Sequence, residues 1–163
     1  MSETYLPSEG YSLWGENGVS VHDIRQGQIG DCWFLTAASA MVEVPGRLES
    51  VFVSEETNST NGISHNGIYA INMYALMMPV TITIDDRIPL RKGTDRTLYA
   101  NIGKDKSVWG PLFEKAFAKY HGSYEALVAG NPMIALNTIS GSPGHSFNHD
   151  NYRIMELWAI LTE

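Results

Sequence analysis

The stretch Gln26-Gly27-Gln28-Ile29-Gly30-Asp31-Cys32-Trp33-Phe34-Leu35 decides how the rest of the chain is read. It holds the only cysteine among 163 residues. A polar, glycine-bearing loop leads that cysteine onto an apolar segment, Trp33-Phe34-Leu35-Thr36-Ala37-Ala38-Ser39-Ala40-Met41, which reads as a helix. A thiol on a first helical turn lies beside free backbone N–H groups and the positive end of the helix dipole. Both favour the thiolate, which is the nucleophilic form. Gln26 stands six residues earlier. A neutral side-chain amide held beside a nucleophile can donate to the oxyanion of a tetrahedral intermediate, with the cysteine N–H as the second donor. Gly27 and Gly30 are expected to permit tight turns at positive φ, and Asp31 to act as the N-cap of the helix. The competing reading of an isolated cysteine is a buried structural residue.

Bulk properties narrow the class. One domain with a sizeable core is expected at this length. Hydrophobic residues make up 44% and charged residues 18%, which excludes a disordered chain. The formal charge of −7, with no basic run, argues against nucleic acid as a partner. A single cysteine forms no internal disulfide, which points to a reducing, cytoplasmic setting. The polar start Met1-Ser2-Glu3-Thr4-Tyr5 does not read as a signal peptide, and no apolar window is long enough for a membrane span.

The order of elements is α+β. A helix from about Asp31 stops at Val44-Pro45-Gly46. Ser54 to Gly67, rich in Ser, Thr, Asn and Gly, reads as a mobile surface loop. Ile68 to Leu76 reads as a strand with both faces partly covered, and Val80-Thr81-Ile82-Thr83-Ile84-Asp85 alternates as a half-buried strand. Met77-Met78-Pro79 would close the hairpin, with Pro79 outside the ladder. Leu98-Tyr99-Ala100 is a candidate third strand. Trp109, Leu112, Phe113, Ala116, Phe117 and Tyr120 form an apolar helical stripe, with Lys115 and Lys119 on the other side and Gly122 as the stop. Shorter helices are expected over 124–128 and 132–139. A closing helix capped by Asp150 or Asn151 would turn Ile154, Leu157, Trp158 and Leu161 inward.

The motif Gln-Gly-x-x-Gly-Asp-Cys-Trp-Phe-Leu resembles the nucleophile motif of the calpain family of papain-like cysteine proteases. Ile84-Asp85-Asp86-Arg87-Ile88-Pro89 is similar to the family's Val-Asp-Asp-x-Leu-Pro. Trp109 with Leu112-Phe113-Glu114-Lys115-Ala116-Phe117-Ala118-Lys119, followed by Gly122-Ser123-Tyr124-Glu125-Ala126-Leu127, resembles its aromatic-helix block. The matches run from about Gly18 to Leu127 in the family's order. The resemblance implies a papain-like α+β lobe, the first of the two lobes of a calpain core. Cys32 would then be the nucleophile, Gln26 would serve the oxyanion hole, and proteins would be the substrates. Residues 1–163 would make up this lobe, with the link to the second lobe starting near 141.

Papain-like enzymes place their His and Asn about 130–150 residues after the cysteine. From Cys32 that window starts at about position 162, so base and orienter are expected on a second lobe outside these residues. His22, His65 and His121 do not match the family base. His145, in Gly144-His145-Ser146-Phe147, and His149 are expected to be solvated loop residues.

Calcium is the cofactor that the resemblance implies. Gly18 and Asp23 match two ligand positions of the first lobe, while Ser107 stands where the family carries a glutamate. Calcium takes six to eight oxygens and depends on carboxylates, so weak or absent binding is expected unless Asp105 reaches in. Asp85 and Asp86, adjacent on a strand, are expected to shape a turn instead. Two readings of the whole remain: the nucleophile lobe of a cysteine endopeptidase, inactive alone, or a non-catalytic calpain-like binding or regulatory module.

Overall fold

The computed structural model describes residues 10–53 and 62–162 and the backbone of residues 2–4. In chain order the elements are β1 (Ser2–Thr4), α1 (Cys32–Val42), β2 (Ile68–Ala75), β3 (Met78–Asp85), β4 (Ile88–Leu90), α2 (Trp109–His121), α3 (Pro132–Ser140) and α4 (Ile154–Thr162). Single 3-10 turns lie at Val21–Asp23, Glu49–Val51, Glu125–Leu127 and His149–Asn151. Among the described residues the fold is α+β, with four α-helices and two small two-stranded antiparallel sheets.

The apolar segment after Cys32 forms a helix because it is rich in Ala and Leu and carries few β-branched residues. Its buried side chains Phe34, Leu35, Ala37, Ala38 and Met41 face α2 and α3. α2 answers with Trp109, Leu112, Phe113, Ala116 and Phe117, all but closed to solvent. Phe34 stacks on Phe117 with ring centroids 4.3 Å apart and leans on Phe113 at 5.3 Å. Gly122 ends α2 at φ 101°, its N–H returning to the Lys119 carbonyl. α3 is bounded as its sequence dictates. Asn131 caps Met133 N–H, Pro132 takes the first turn, and Gly141 closes the helix in the left-handed region. A side chain at Gly141 would collide with the Tyr74 ring.

β2 and β3 pair antiparallel from Ile68↔Asp85 to Ala75↔Met78. Tyr69, Ile71 and Met73 enter the core, and β3 alternates as expected, with Thr81, Thr83 and Asp85 outward. The hairpin itself differs from expectation. The turn is Leu76-Met77, both at positive φ (47° and 67°), and Pro79 lies inside β3 opposite Tyr74. Ala75 and Met78 flank this two-residue turn and form the bonded pair. The next pair, Tyr74 and Pro79, therefore points its polar groups away from the ladder, where a missing N–H costs nothing. The outward Tyr74 carbonyl instead accepts from the Tyr120 hydroxyl at 3.2 Å.

Leu98-Tyr99-Ala100 is not a strand. It is a turn segment whose Leu98 carbonyl accepts from Gln28 N–H, while Thr97 bridges Leu90. The strands described besides β2 and β3 are β1 and β4, which pair antiparallel in a separate two-stranded ladder. Residues 54–61 of the expected polar loop lie outside the described residues. Residues 124–128 form only the short 3-10 turn. Lys115 and Lys119 reach from α2 to the sheet edge: Lys115 Nζ meets the Asp85 carboxylate and the Arg87 carbonyl (2.6 Å), and Lys119 Nζ meets the Thr83 carbonyl (2.6 Å). Asp85 also accepts from Arg87 N–H at 2.8 Å, the turn-shaping role expected of it. α4 forms, but it buries nothing among the described residues. Ile154, Trp158 and Leu161 are exposed, so the inward face expected of them is absent.

Two stability outcomes follow. Phe117→Ala removes the ring that carries the α1–α2 stack and should cost about 3–5 kcal/mol in urea unfolding. Leu76 and Met77 carry side chains where a two-residue hairpin turn favours Asn-Gly, a strain of about 1 kcal/mol or more. The double substitution Leu76→Asn, Met77→Gly should therefore raise the midpoint of thermal unfolding.

Candidate active site

Cys32 is the first residue of α1, and it is exposed, unlike the buried structural cysteine of the competing reading. Phe34 and Leu35 N–H return to the Asp31 carbonyl, while the N–H of Cys32 lies in the first turn, where a helix offers no acceptor. The loop before it is pinned from the side by residues 98–101. Gln28 N–H donates to the Leu98 carbonyl (3.1 Å), Asn101 N–H to the Arg25 carbonyl (2.8 Å), and Asn101 Nδ2 to the Gln26 carbonyl (3.0 Å). Gln26 is exposed, and its Nε2 donates to the Ile29 carbonyl at 2.6 Å. An amide nitrogen carries two N–H bonds, so one remains to serve a ligand.

Neither loop glycine has positive φ, contrary to the turn reading. Gly27 is required for a different reason: a Cβ there would fall 1.9 Å from the Tyr99 carbonyl oxygen, so only glycine lets the two backbones approach. At Gly30 a Cβ would meet only ordinary contacts, and nothing in the structure explains the glycine. Trp33 is a core residue. Its Nε1 donates to the Leu127 carbonyl at 2.8 Å, and Gly130 packs flat on its ring. Ala129, at φ 60°, donates its N–H to the Gly30 carbonyl, tying the segment after the Glu125–Leu127 turn to the nucleophile loop.

Asp31 occupies the N-cap position, but its side chain makes no capping hydrogen bond. The carboxyl is fully buried and faces the carboxyl of Glu114, itself only 1% exposed. Both Glu114 oxygens accept from Ala100 N–H, at 2.8 and 3.1 Å. Burial, then the Asp31 carboxyl, pushes Glu114 up to about 9, and burial also raises Asp31. Glu114 escapes a reading by periodicity, which tracks the apolar stripe around it. The available signal was an acid at a position between Phe113 and Phe117, on the face turned to the core.

Among the described residues no hydrogen bond joins a histidine to Cys32. His121 is wedged among Trp33, Phe117 and Tyr120, where burial lowers its pKa. His145 lines a surface hollow with Ala40 and Met41 at the far end of α1. That end lies about 12 Å along the helix from Cys32, at about 1.5 Å per residue.

Asp23, Asp105 and Ser107 converge on Gly103: a Cβ there would lie 2.9 Å from Asp23 Oδ1, 3.0 Å from Asp105 Oδ1 and 2.0 Å from Ser107 Oγ. Asp23 Oδ2 and Ser107 Oγ are buried without a well-formed hydrogen bond. Burial, then the Asp105 charge, raises Asp23, and the Trp109 and Ser107 donors beside it offset this only in part. Gly18, at φ 81°, has open space around it. Among the described residues no group of three or more His, Cys, Asp or Glu is placed to hold a metal, and no helix is long and apolar enough to cross a membrane.

The family model for calpain family cysteine proteases matches residues 8–163. The calpain-type cysteine protease DEK1 of Zea mays is 34% identical over 130 residues, 80% of this chain and 6% of that protein. Calpain-5 of Mus musculus is 33% identical over 128 residues, 77% of this chain and 20% of its own length. Calpain-A of Drosophila melanogaster is 33% identical over 124 residues, 76% and 14% respectively. The chain thus spans a fifth or less of these curated relatives. With a cysteine at the head of α1, a braced glutamine loop before it and a match over nearly its whole length, this chain belongs to the calpain family of cysteine proteases.

Proposed function

We propose that residues 1–163 form the nucleophile lobe of an endopeptidase that cleaves proteins through a Cys32 acyl-enzyme. The observation that carries this reading is the exposed Cys32 thiol on the first turn of α1, at the end of a loop braced on residues 98–101. The sulfur attacks the peptide carbonyl carbon. The carbonyl oxygen takes up negative charge and accepts hydrogen bonds from the Cys32 N–H and from the second N–H of Gln26 Nε2. A histidine on a second lobe, outside residues 1–163, accepts the thiol proton and passes it to the leaving amine, with an asparagine orienting the ring. Residues from about 141 onward lead toward that lobe.

Asp23 and Asp105 with Ser107 fit a cation, because one buried carboxylate oxygen lacks a partner and the two acids repel each other. Two carboxylates fall short of what tight calcium binding asks, so the reading is a weak site, with Gly18 as the backbone contributor that the family resemblance implies. Calcium there would relieve the repulsion between the acids and hold the Val21–Asp23 turn against the head of α2.

The 163-residue chain alone should hydrolyse no peptide, with or without calcium, because it lacks the base and acid. Turnover that vanishes in Cys32→Ala would overturn this. Cys32 should still be alkylated by iodoacetamide faster than a free thiol; an equal rate favours the non-catalytic module. In a complete enzyme with both lobes, Gln26→Ala should lower kcat by about 10²–10³-fold. Millimolar calcium should raise the thermal midpoint of the chain slightly, and Asp23→Asn should remove that rise. A calcium response unchanged in Asp23→Asn places the ion elsewhere.

A further inference from the structure

We propose that the buried carboxyls of Asp31 and Glu114 share a single proton and form the clamp that holds the Gln26 loop and Cys32 in register. The proposal rests on the roles of Cys32 and Gln26 given above and assigns to Glu114 a positioning role, through other residues and not through substrate.

The connections converge on one carboxyl. Asp31 precedes Cys32 directly, and its two oxygens are buried without a well-formed hydrogen bond, only its own backbone N–H lying close enough to act on the carboxyl. Glu114 stands in the middle of α2 and accepts from Ala100 N–H with both oxygens. Ala100 adjoins Asn101, which holds the Arg25 and Gln26 carbonyls. Leu98, two residues earlier, holds Gln28 N–H. The Glu114 carboxyl thus holds the Ala100 N–H of the segment that braces Gln26 and also faces Asp31, the residue just before the nucleophile helix. α2, the most deeply buried helix, supplies the fixed point.

Two carboxylates have only acceptors and cannot bond to each other without a proton. The ionisable groups facing the pair are Tyr99 from the 98–101 segment and Tyr124 before the Glu125–Leu127 turn. Tyr99 and Tyr124 stack at 3.8 Å, and both feel the Glu114 charge. Glu125 acts on Tyr99, and Asp31 and Asp85 act on Tyr124. No Lys, Arg or His stands among these groups. With no cation among the described residues acting on either acid, ionising both would leave two like charges in a closed site, so one proton stays. The Ala100 N–H occupies Glu114, and the O–H bridges to Asp31. The upward displacement of Glu114, to about 9, agrees with this arrangement.

The sign of the pH dependence follows. A carboxyl raised in the folded state holds its proton where the unfolded chain has lost it. Its stabilisation is complete below the unfolded value of about 4.3 and is lost as pH rises toward about 9. Glu114→Gln supplies a permanent donor to Asp31 and keeps an acceptor for Ala100 N–H, so it should fold with the clamp closed at every pH. The ratio of folding constants, wild type over Glu114→Gln, should fall about tenfold per pH unit, or about a thousandfold from pH 5.5 to 8.5. Referencing to this variant cancels the contributions of His121 and Asp23.

The experiment is urea unfolding of the 163-residue chain across that range, with amide hydrogen exchange at Gln28, Ala100 and Asn101. Slow exchange at these amides should be retained in Glu114→Gln and lost in Glu114→Leu, which keeps volume but offers no polar atom. A pH-independent ratio overturns the shared proton. Exchange at Gln28 and Asn101 that is unchanged in Glu114→Leu overturns the clamp even if the proton is present. Should Glu114→Leu not fold, the Glu114→Met variant, which likewise offers Ala100 N–H no oxygen acceptor, reads the same amides, with the same outcomes. Alkylation of Cys32 no faster than a free thiol counts against the nucleophile reading alone and leaves both results on the pair standing.

Discussion

The stack of Phe34 on Phe117, backed by Phe113, is the contact on which the other features depend. It sets the distance and rotation of α1 against α2, and both helices carry site residues at positions that this rotation decides. With Phe34 buried, Cys32 two residues earlier is turned outward, because adjacent helical residues point about 100° apart. With Phe113 and Phe117 buried, Glu114 is carried inward beneath the start of α1. The same apolar contact therefore exposes the thiol and buries the acid. Neither outcome follows from the chemistry of Cys32 or Glu114 alone, since a thiol gains by burial and a carboxyl loses by it.

The polar groups of the site are held at a cost that the apolar core offsets. Asp31 and Glu114 lie among side chains that do not neutralise them, and Asp23 and Ser107 meet close to Gly103 with unsatisfied oxygens. Each feature opposes folding by itself, and both lie within a few residues of the nucleophile loop or its bracing segment. The other buried polar residues described, Ser64, Thr97 and Thr138, are all uncharged. Buried polar groups concentrated in one part of a domain are expected where a site needs fixed charges and defined hydrogen bonds more than it needs stability.

Much of this was legible in the residues. The helix after Cys32, the β2–β3 pair, the α2 stripe and the caps of α3 each rest on short-range rules: periodicity, alternation, or a Gly, Pro or Asn with a local conformational preference. The misreadings share a cause. Proline's missing N–H argues for Pro79 outside the ladder, but the register turns that position away from its neighbour. Leu98-Tyr99-Ala100 has strand composition, yet its backbone groups are taken by Gln28 and Glu114. Asp31 has the composition of an N-cap, and a carboxyl on another helix took its side chain. The apolar face of α4 has the right period, but amphipathicity does not say whether a partner surface is present in the same fold.

What the sequence determined by itself is the identity of the chemistry. A lone cysteine at a helix start, a glutamine six residues before it, and the spacing between them are covalent facts that point to the calpain family before any folding is considered. What only the tertiary structure decided is which groups meet across the chain. Glu114 lies 83 residues after Asp31 in the sequence, and Ala100 lies between them. Local propensity extends over a few residues, whereas the packing of α1 on α2 brings these distant groups into one closed, low-dielectric space. Only there does a carboxyl have to keep its proton.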